Sequence, residues 1–547
     1  MAATHDVTNQ PPPLADYDVF GTDAVLAEGV ARAGVPADEL ERLHGLGRLA
    51  GSAGAQEWAV QANAYPPVLR THDRFGHRID EVEYHPAYHE LMHQAVAYGL
   101  HAAPWLAPPG SGAHVRRAAA FDVWSQLEAG HGCPISMTYA VVPALRASPE
   151  VAAVWEPRFL SLAYDGRARP APAKPGALAG MGMTEKQGGS DVRANATRAV
   201  PAGEGWELRG HKWFCSAPMS DAWLMLAQAG RGLSCFLVPK WRPDDTRNQV
   251  HLQRLKDKLG NRSNASSEVE LAGAWAWLVG EEGRGVQTII TMVNHTRLDC
   301  VIGSTAGMRA ALAQAIHHTA HRTAFGRRLV DQPLMGNVLA DLCVESEAAT
   351  LAMLRLAEAY DADPADADEA AFRRLATAVV KYWVCKRQPP FVAEALECLG
   401  GNGYVEESGL PRLYRESPLN GLWEGSANVI CLDVLRALSR DPAAWDAFRA
   451  EVGRATGADV RFDAFVGRLD AELAAADDLV TGARRVVEHM ALALTGSLLL
   501  RYGHPAVADA FSASRLGGDW GRAFGTLGPG VVTPVIVERH HPWTEKT

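Results

Sequence analysis

The sequence has little that would place it in a membrane. Its longest nearly apolar stretch, Met490 to Leu500, is short for a bilayer span and is closed by His489 and Arg501. Between Met1 and Tyr17 there is no basic start followed by an apolar run, so a secretory signal is not expected. Positive charge is not in excess either. The 53 Lys and Arg stand against 63 Asp and Glu, a formal net charge of −10. That balance excludes a protein whose whole surface binds nucleic acid and leaves room for a local basic patch at most. Cysteine is sparse, with eight residues at 133, 215, 235, 300, 343, 385, 398 and 431. The spacing fits neither a zinc ribbon nor a dense disulfide framework, which points to a reducing, cytoplasmic setting. Several nucleotide and nucleophile motifs are also missing. Gly180-Met181-Gly182 opens like a dinucleotide fingerprint, but position 185 is Glu where the third glycine belongs. There is no Walker-type phosphate loop and no G-x-S-x-G elbow.

What is present is the composition of a globular enzyme. With 47% hydrophobic and 21% charged residues over 547 positions, the chain can bury more than one core. Helix-spaced apolar residues mark Asp23 to Ala33, Asp38 to Leu49, His89 to Leu100 and His114 to Glu128. A Pro-rich stretch, Pro170 to Pro175, reads as a linker. Short strand-like pieces follow, at Trp206 to Leu208, Ala222 to Ala229, Leu233 to Val238 and Glu268 to Leu271. From Val286 to about Leu438 the helical pattern returns, with an acidic loop predicted at Asp361 to Glu369. The predicted fold class is α+β. Its parts are an N-terminal helical domain (1–179), an antiparallel β-domain (180–285), a C-terminal helical bundle (286–440) and a mainly helical extension (441–547).

His89-Glu90-Leu91-Met92-His93 satisfies the zinc-protease pattern H-E-x-x-H. No third ligand can be assigned, so the expectation is a polar helix face and no metal site. A more informative segment is Met183-Thr184-Glu185-Lys186-Gln187-Gly188-Gly189-Ser190-Asp191. It is a glycine-containing turn with hydroxyls at 184 and 190, and the backbone N–H groups of such a turn can hold a phosphate or a polar ring edge. Downstream come Gly210-His211-Lys212-Trp213-Phe214-Cys215-Ser216, then Leu399-Gly400-Gly401-Asn402-Gly403-Tyr404, then Leu422-Trp423-Glu424-Gly425-Ser426-Ala427-Asn428.

In this order the four segments resemble the acyl-CoA dehydrogenase flavoprotein family over roughly Gly180 to Leu438. A closer likeness to its alkylation-response branch is carried by the motif ending Gly188-Gly189-Ser190-Asp191, Leu255 to Ser266, Pro411 to Glu416 and Trp423 to Ser426, and His85-Pro86-Ala87 and Gly132 to Thr138 agree with it. The long C-terminal extension adds to it.

The resemblance implies FAD between the β-domain and the C-terminal helices. Met181, Thr184, Gly189 and Ser190 would line it. Phe214 stands where the family has a Trp flanking the flavin, and Ser216 where it has a Thr hydroxyl. The alternative for Trp213 and Phe214 is strand packing, since aromatics in strands are usually core. Arg322, Phe325 and Gln332 match a segment that reaches a neighbouring subunit's FAD, which implies a homotetramer. A guanidinium suits such a role because it binds phosphate oxygens through a planar fork. Glu397, Gly400 and Gly401 match the second signature, and Trp423, Gly425, Ser426 and Asn428 complete the cofactor set.

Glu424 is the expected catalytic base for the α-proton of an acyl thioester such as isovaleryl-CoA; a capping Glu beside Gly is the alternative. Family members that place the base earlier do so before an Arg, and that position here is Thr296, before Arg297. The alkylation-response branch further implies binding of double-stranded DNA through the extension and protection from alkylation. The alternative is a metabolic dehydrogenase with no DNA role. Residues 441–547 carry eleven basic against fourteen acidic side chains, a balance of −3. Phosphate contacts would therefore need Arg484, Arg485, Arg501, Arg515, Arg522 and Arg539 to gather on one face.

Overall fold

The computed structural model describes residues 4–475 and 479–543. It forms two compact units. One comprises Gly54–Pro108 and Glu128–Asp299; the other comprises Met1–Ala53, Pro109–Leu127 and Cys300–Thr547. We call them the β-unit and the helical unit.

In the β-unit the helix Ala53–Ala64 is followed by a hairpin of β1 (Val68–His72) and β2 (Arg78–Glu83), inside the segment expected to be mainly helical. Its turn explains it. Asp73 accepts from the backbone N–H of Phe75 and His77 at 2.8 and 2.9 Å, and Gly76 takes φ +88°. The main sheet contains β3 (Ala179–Gly182), β4 (Arg198–Ala202), β5 (Gly205–Ser216), β6 (Ala222–Ala229), β7 (Gly232–Pro239), β8 (Val250–Leu255) and β9 (Ser266–Val279). The strand order is β3-β6-β4-β5-β9-β7, with β8 on β9, and β7 also pairs with β6, so the sheet closes on itself. The expectation of an antiparallel domain holds for most pairings but not for β3–β6 and β4–β6, which are parallel. The intervening strands give the chain enough length to cross over and return in the same direction. Leu208, Trp223, Met225, Phe236, Val238 and Val269 fill the interior, alternating with outward residues along each strand.

His85 caps the helix Pro86–Ala97, its Nδ1 accepting from the Ala87 N–H at 3.2 Å. His89 Nδ1 lies 2.8 Å from the Tyr164 hydroxyl, so the first His of the H-E-x-x-H pattern is engaged by a phenol. Among the described residues no group of three or more His, Cys, Asp or Glu side chains is placed to hold a metal ion. No described helix is long and apolar enough to cross a membrane.

In the helical unit the two longest helices lying wholly within it are Pro333–Asp361 and Ala367–Glu397, and the predicted acidic loop joins them. Asp366 caps the second by accepting from the N–H of Asp368 and Glu369. The extension is part of this unit. Its helix Leu479–Tyr502 packs against Pro333–Asp361 and Ala427–Arg440, burying Val486, Met490, Leu494 and Leu498.

Buried charge ties the extension down. Glu347 accepts from Arg539 at 3.0 Å and from the backbone of His504 at 2.8 Å, and lies 3.2 Å from His540. Arg515 pairs with Asp341 at 2.5 Å and with Glu345 at 3.2 Å, and Glu345 also pairs with Arg387 at 3.1 Å. Breaking such a pair from one side leaves an uncompensated buried charge and costs about 3–5 kcal/mol.

Candidate functional site

In the β-unit the chain leaves β3 into the turn Met183 to Ser190. Glu185 and Gly188 exchange backbone hydrogen bonds at 3.0 and 3.3 Å, with Gly188 at φ +138°. Gly189 sits so close to Thr184 that a Cβ there would lie 2.3 Å from the Thr184 hydroxyl, so only glycine leaves that hydroxyl in place. β5 runs alongside: the Trp213 N–H donates to the Thr184 carbonyl at 2.9 Å, and the Lys186 N–H to His211 Nε2 at 3.0 Å.

A buried ion pair locks these two segments. Lys212 donates to Glu185 at 2.8 Å and to the Leu226 carbonyl at 2.7 Å, with both side chains fully enclosed. Glu185 also accepts from the N–H of Ala196 and Thr197. Burial alone would raise its pKa, but the bond and charge of Lys212 outweigh that and bring it down to about 2.

Between Lys212 and Cys215 the β5–β9 register slips. This bulge turns Trp213 and Phe214 away from the interior, whereas Lys212 and Cys215 point in. Phe214 is 52% exposed, against the strand-packing reading. The Lys256 ammonium lies 3.3 Å from the Trp213 ring centroid and 4.7 Å from that of Phe214. Ser216 pairs with Ser266 across the strands, the hydroxyls 3.2 Å apart.

In the helical unit, the hairpin of β10 (Thr323–Ala324) and β11 (Arg327–Arg328) carries Phe325 at its tip, at φ +53° and 96% exposed. Gln332 steadies it by donating to the Ala324 carbonyl at 2.9 Å. Arg322 donates to the Asn9 carbonyl, and Asn9 exchanges two further bonds with Thr323. Glu397, Gly400 and Gly401 are exposed at the end of Ala367–Glu397. Cβ atoms at Gly400 and Gly401 would meet open space, whereas one at Gly403 would strike the Leu396 carbonyl at 2.1 Å.

Glu424 follows the turn Leu419–Gly421 and precedes the helix Ala427–Arg440. It adopts φ +58°, a left-handed conformation that costs a non-glycine residue about 1–2 kcal/mol. Trp423 Nε1 donates to Asn420 Oδ1 at 2.9 Å, and the buried Lys381 ammonium donates to the carbonyls of Asn420 and Gly425 at 2.9 and 3.0 Å. Thr296, at the alternative base position, is buried and donates to the Val293 carbonyl at 3.0 Å. Ser426 caps Ala427–Arg440 in an extended conformation, without a side-chain capping bond.

The six arginines expected to meet DNA, of the ten in the extension, do not form a free basic face. Arg485 pairs with Glu472 at 2.6 Å, Arg501 with Glu451 at 2.6 Å, and Arg539 with Glu28 at 2.6 Å. Arg515 is buried on Asp341 and Glu345, out of reach of a phosphate. Arg484 donates to Asn428 at 2.8 Å, and Arg522 is exposed with no ion pair among the described residues. The folding carboxylates have taken up most of the charge expected for DNA.

Glu185, Lys212, Asn420 and Lys381 escaped the sequence reading. The trace in the sequence is a lone Lys amid apolar neighbours, at Val379-Val380-Lys381-Tyr382-Trp383. A charge in such a run needs a buried partner.

Residues 9–166 match the adaptive response protein AidB N-terminal domain, 180–274 the acyl-CoA dehydrogenase middle domain, and 283–439 the acyl-CoA dehydrogenase C-terminal domain. The chain is 46% identical to the putative acyl-CoA dehydrogenase AidB of Escherichia coli, over 93% of this chain and 94% of that protein. Among solved structures, Caenorhabditis elegans ACDH-11 in complex with C11-CoA superposes with a TM-score of 0.84 at 27% identity, covering 93% of this chain and 92% of that one. The apo form of Bd2924 gives 0.84 at 29% identity, over 91% of this chain and 100% of that one. With three domains in family order and near full-length identity to AidB, the chain belongs to the acyl-CoA dehydrogenase family.

Proposed function

We propose that this protein is an FAD-dependent acyl-CoA dehydrogenase with Glu424 as its catalytic base. The observation that carries the reading is Glu424 itself, a carboxylate held in a left-handed backbone between Trp423 and Gly425. Residues are kept in such conformations where the surrounding structure fixes them, and they concentrate at active sites. No carboxylate stands at the alternative position, which is Thr296.

The residues fit FAD. Phe214 offers a half-exposed aromatic ring, with the Lys256 ammonium 4.7 Å from its centroid, beside a strand interior that is closed. The close approach of Gly189 to Thr184 makes a cradle that any Cβ would fill. Hydroxyls of Thr184, Ser190 and Ser216 supply the donors that a polar ring edge and phosphates require. When bound, FAD supplies the hydride acceptor for the β-hydrogen. Glu424 would take the α-proton; within the β-unit, Thr184 and Ser216 would hold the ring edge and Phe214 would pack on the ring. The family resemblance further assigns Met181 of the β-unit, and Gly425, Ser426 and Asn428 of the helical unit, to FAD.

The hairpin at Arg322, Phe325 and Gln332, which carries Phe325 exposed at its tip, supports a homotetramer in which each copy completes another's site, as the family resemblance implies. Eight buried free cysteines support a reducing, cytoplasmic setting. For the substrate, a short branched acyl-CoA such as isovaleryl-CoA is one chain length to test, and the C11-CoA bound by ACDH-11 supplies a longer one.

Double-stranded DNA binding and alkylation protection form a second reading, supported by the family resemblance. The ion pairs of the extension narrow it: contact there would rest on Arg468, Arg484 and Arg522.

The test is anaerobic titration with isovaleryl-CoA and C11-CoA. Purified protein should be yellow and bleach with at least one, and Glu424→Gln should not bleach. A folded, colourless tetramer would sink the cofactor assignment.

A further inference from the structure

Lys381 lies in the interior of the helix Ala367–Glu397, and only 1% of its surface is exposed. Among the described residues it has no carboxylate within ion-pair distance; its contacts are the carbonyls of Asn420 and Gly425, at 2.9 and 3.0 Å. Burying an ammonium on neutral carbonyls is unfavourable relative to leaving it in water. An apolar residue would fill the helix interior more cheaply, so the charge needs another explanation.

The two carbonyls bracket the loop that carries Glu424. One is four residues before it and the other belongs to the next residue. Between them lie the turn Leu419–Gly421, in which the N–H groups of Leu422 and Trp423 donate to the Leu419 carbonyl, and the left-handed residue itself. Asn420 ties the same loop from its other side. It accepts from Trp423 Nε1 at 2.9 Å and donates to the Ser304 hydroxyl at 3.2 Å; Ser304 in turn donates to Cys385 Sγ at 3.4 Å, one turn along the helix from Lys381. The strained residue is thus clamped on both sides by bonds that lead to one rigid helix.

We propose that Lys381, together with Asn420, is a positioning residue that sets the direction of the Glu424 carboxylate. This rests on the reading of Glu424 as the base. Without the clamp the loop relaxes toward ordinary φ, the carboxylate leaves the line of the α-proton, and substrate affinity is retained because the acyl-CoA is held by other residues. A misplacement of about 1 Å at a reacting group can reduce a rate about 100-fold.

The test compares Lys381→Met, which keeps the stem and removes the donors, with Lys381→Arg, Asn420→Ala and Glu424→Gln, all as holoenzyme. Flavin reduction by acyl-CoA is followed by stopped flow, and Kd by titration. Lys381→Met should slow reduction about 100-fold with Kd nearly unchanged, and Lys381→Arg should recover part of the rate. In apo protein, amide exchange across residues 419–426 should quicken in Lys381→Met while the core of Ala367–Glu397 stays protected. Should Lys381→Met fail to fold, Asn420→Ala carries the comparison with the same expected split. A wild-type reduction rate in the folded variant, with Glu424→Gln inactive, overturns the proposal alone. A wild-type rate in Glu424→Gln overturns the base assignment and the proposal with it.

Discussion

Lys212 reaches Glu185 at 2.8 Å inside the β-unit, and this one bond joins the turn that carries Thr184 to the strand that carries Phe214 and Ser216. Neither partner touches solvent. The pair therefore acts on the candidate cofactor site by fixing the distance between its two polar segments. Its removal should be felt in cofactor retention as well as in stability.

Lys212→Met should destabilise the protein by about 3–5 kcal/mol, because Glu185 would then be a buried, unpaired carboxylate. Glu185→Leu combined with Lys212→Met should cost less than Lys212→Met alone, since an apolar pair leaves no stranded charge. Denaturant unfolding of the single and double variants, with flavin content measured in parallel, checks the order. A double variant worse than both singles would show that the charges themselves are required.

Acid should weaken the fold through two carboxylates. Burial would raise Glu347, but His540 and Arg539 bring it down to about 2, and Glu185 is likewise near 2. A folded pKa below the ordinary 4.5 contributes stability that is present above 4.5 and disappears as pH falls toward 2. Each group should account for on the order of 3 kcal/mol across that window. Thermal melts from pH 6 to 3 should fall more steeply in wild type than in Glu347→Gln, which starts lower. In Glu347→Gln, limited proteolysis should release the segment after Tyr502 first, because Glu347 binds Arg539, His540 and the backbone of His504, and only Arg539 keeps a second carboxylate, Glu28.

The backbone at Glu424 makes a separable prediction. Glu424→Gly and Glu424→Ala should both be inactive, yet Glu424→Gly should be more stable than Glu424→Ala by about 1 kcal/mol, since glycine alone enters φ +58° without strain. Differential scanning calorimetry of the two variants decides it. Equal stability would mean that the left-handed conformation is not kept in solution.

Duplex DNA binding, if it uses the extension, should respond to Arg468, Arg484 and Arg522, the exposed arginines that no carboxylate holds among the described residues. Arg484→Ala with Arg522→Ala should lower the slope of log affinity against log salt by about 2, roughly one unit per phosphate contact. Arg515→Met should leave that slope unchanged and lower the melting temperature, because Arg515 is spent on Asp341 and Glu345. A slope that moves with Arg515 and not with Arg484 would reverse this assignment.

The sequence alone determined the succession of helices, strands and helices, because periodicity is a local property; Ala222–Ala229 matches its strand limits and Asp366 stands where a cap was needed. It also determined the family, through four motifs whose chemistry is written in adjacent residues such as Thr184 to Ser190 and Trp423 to Ser426. The hairpin Val68–Glu83 stayed hidden inside helical neighbours, since two short strands gain their stability from pairing and not from composition. Only the tertiary structure decided what the charges do. Arg515 and Arg485 look alike on a chain, but one is buried on Asp341 and the other lies at the surface on Glu472. Lys381 and Lys212 are held by groups 39 and 27 positions away. Such meetings are set by packing between distant segments, and no local pattern encodes them.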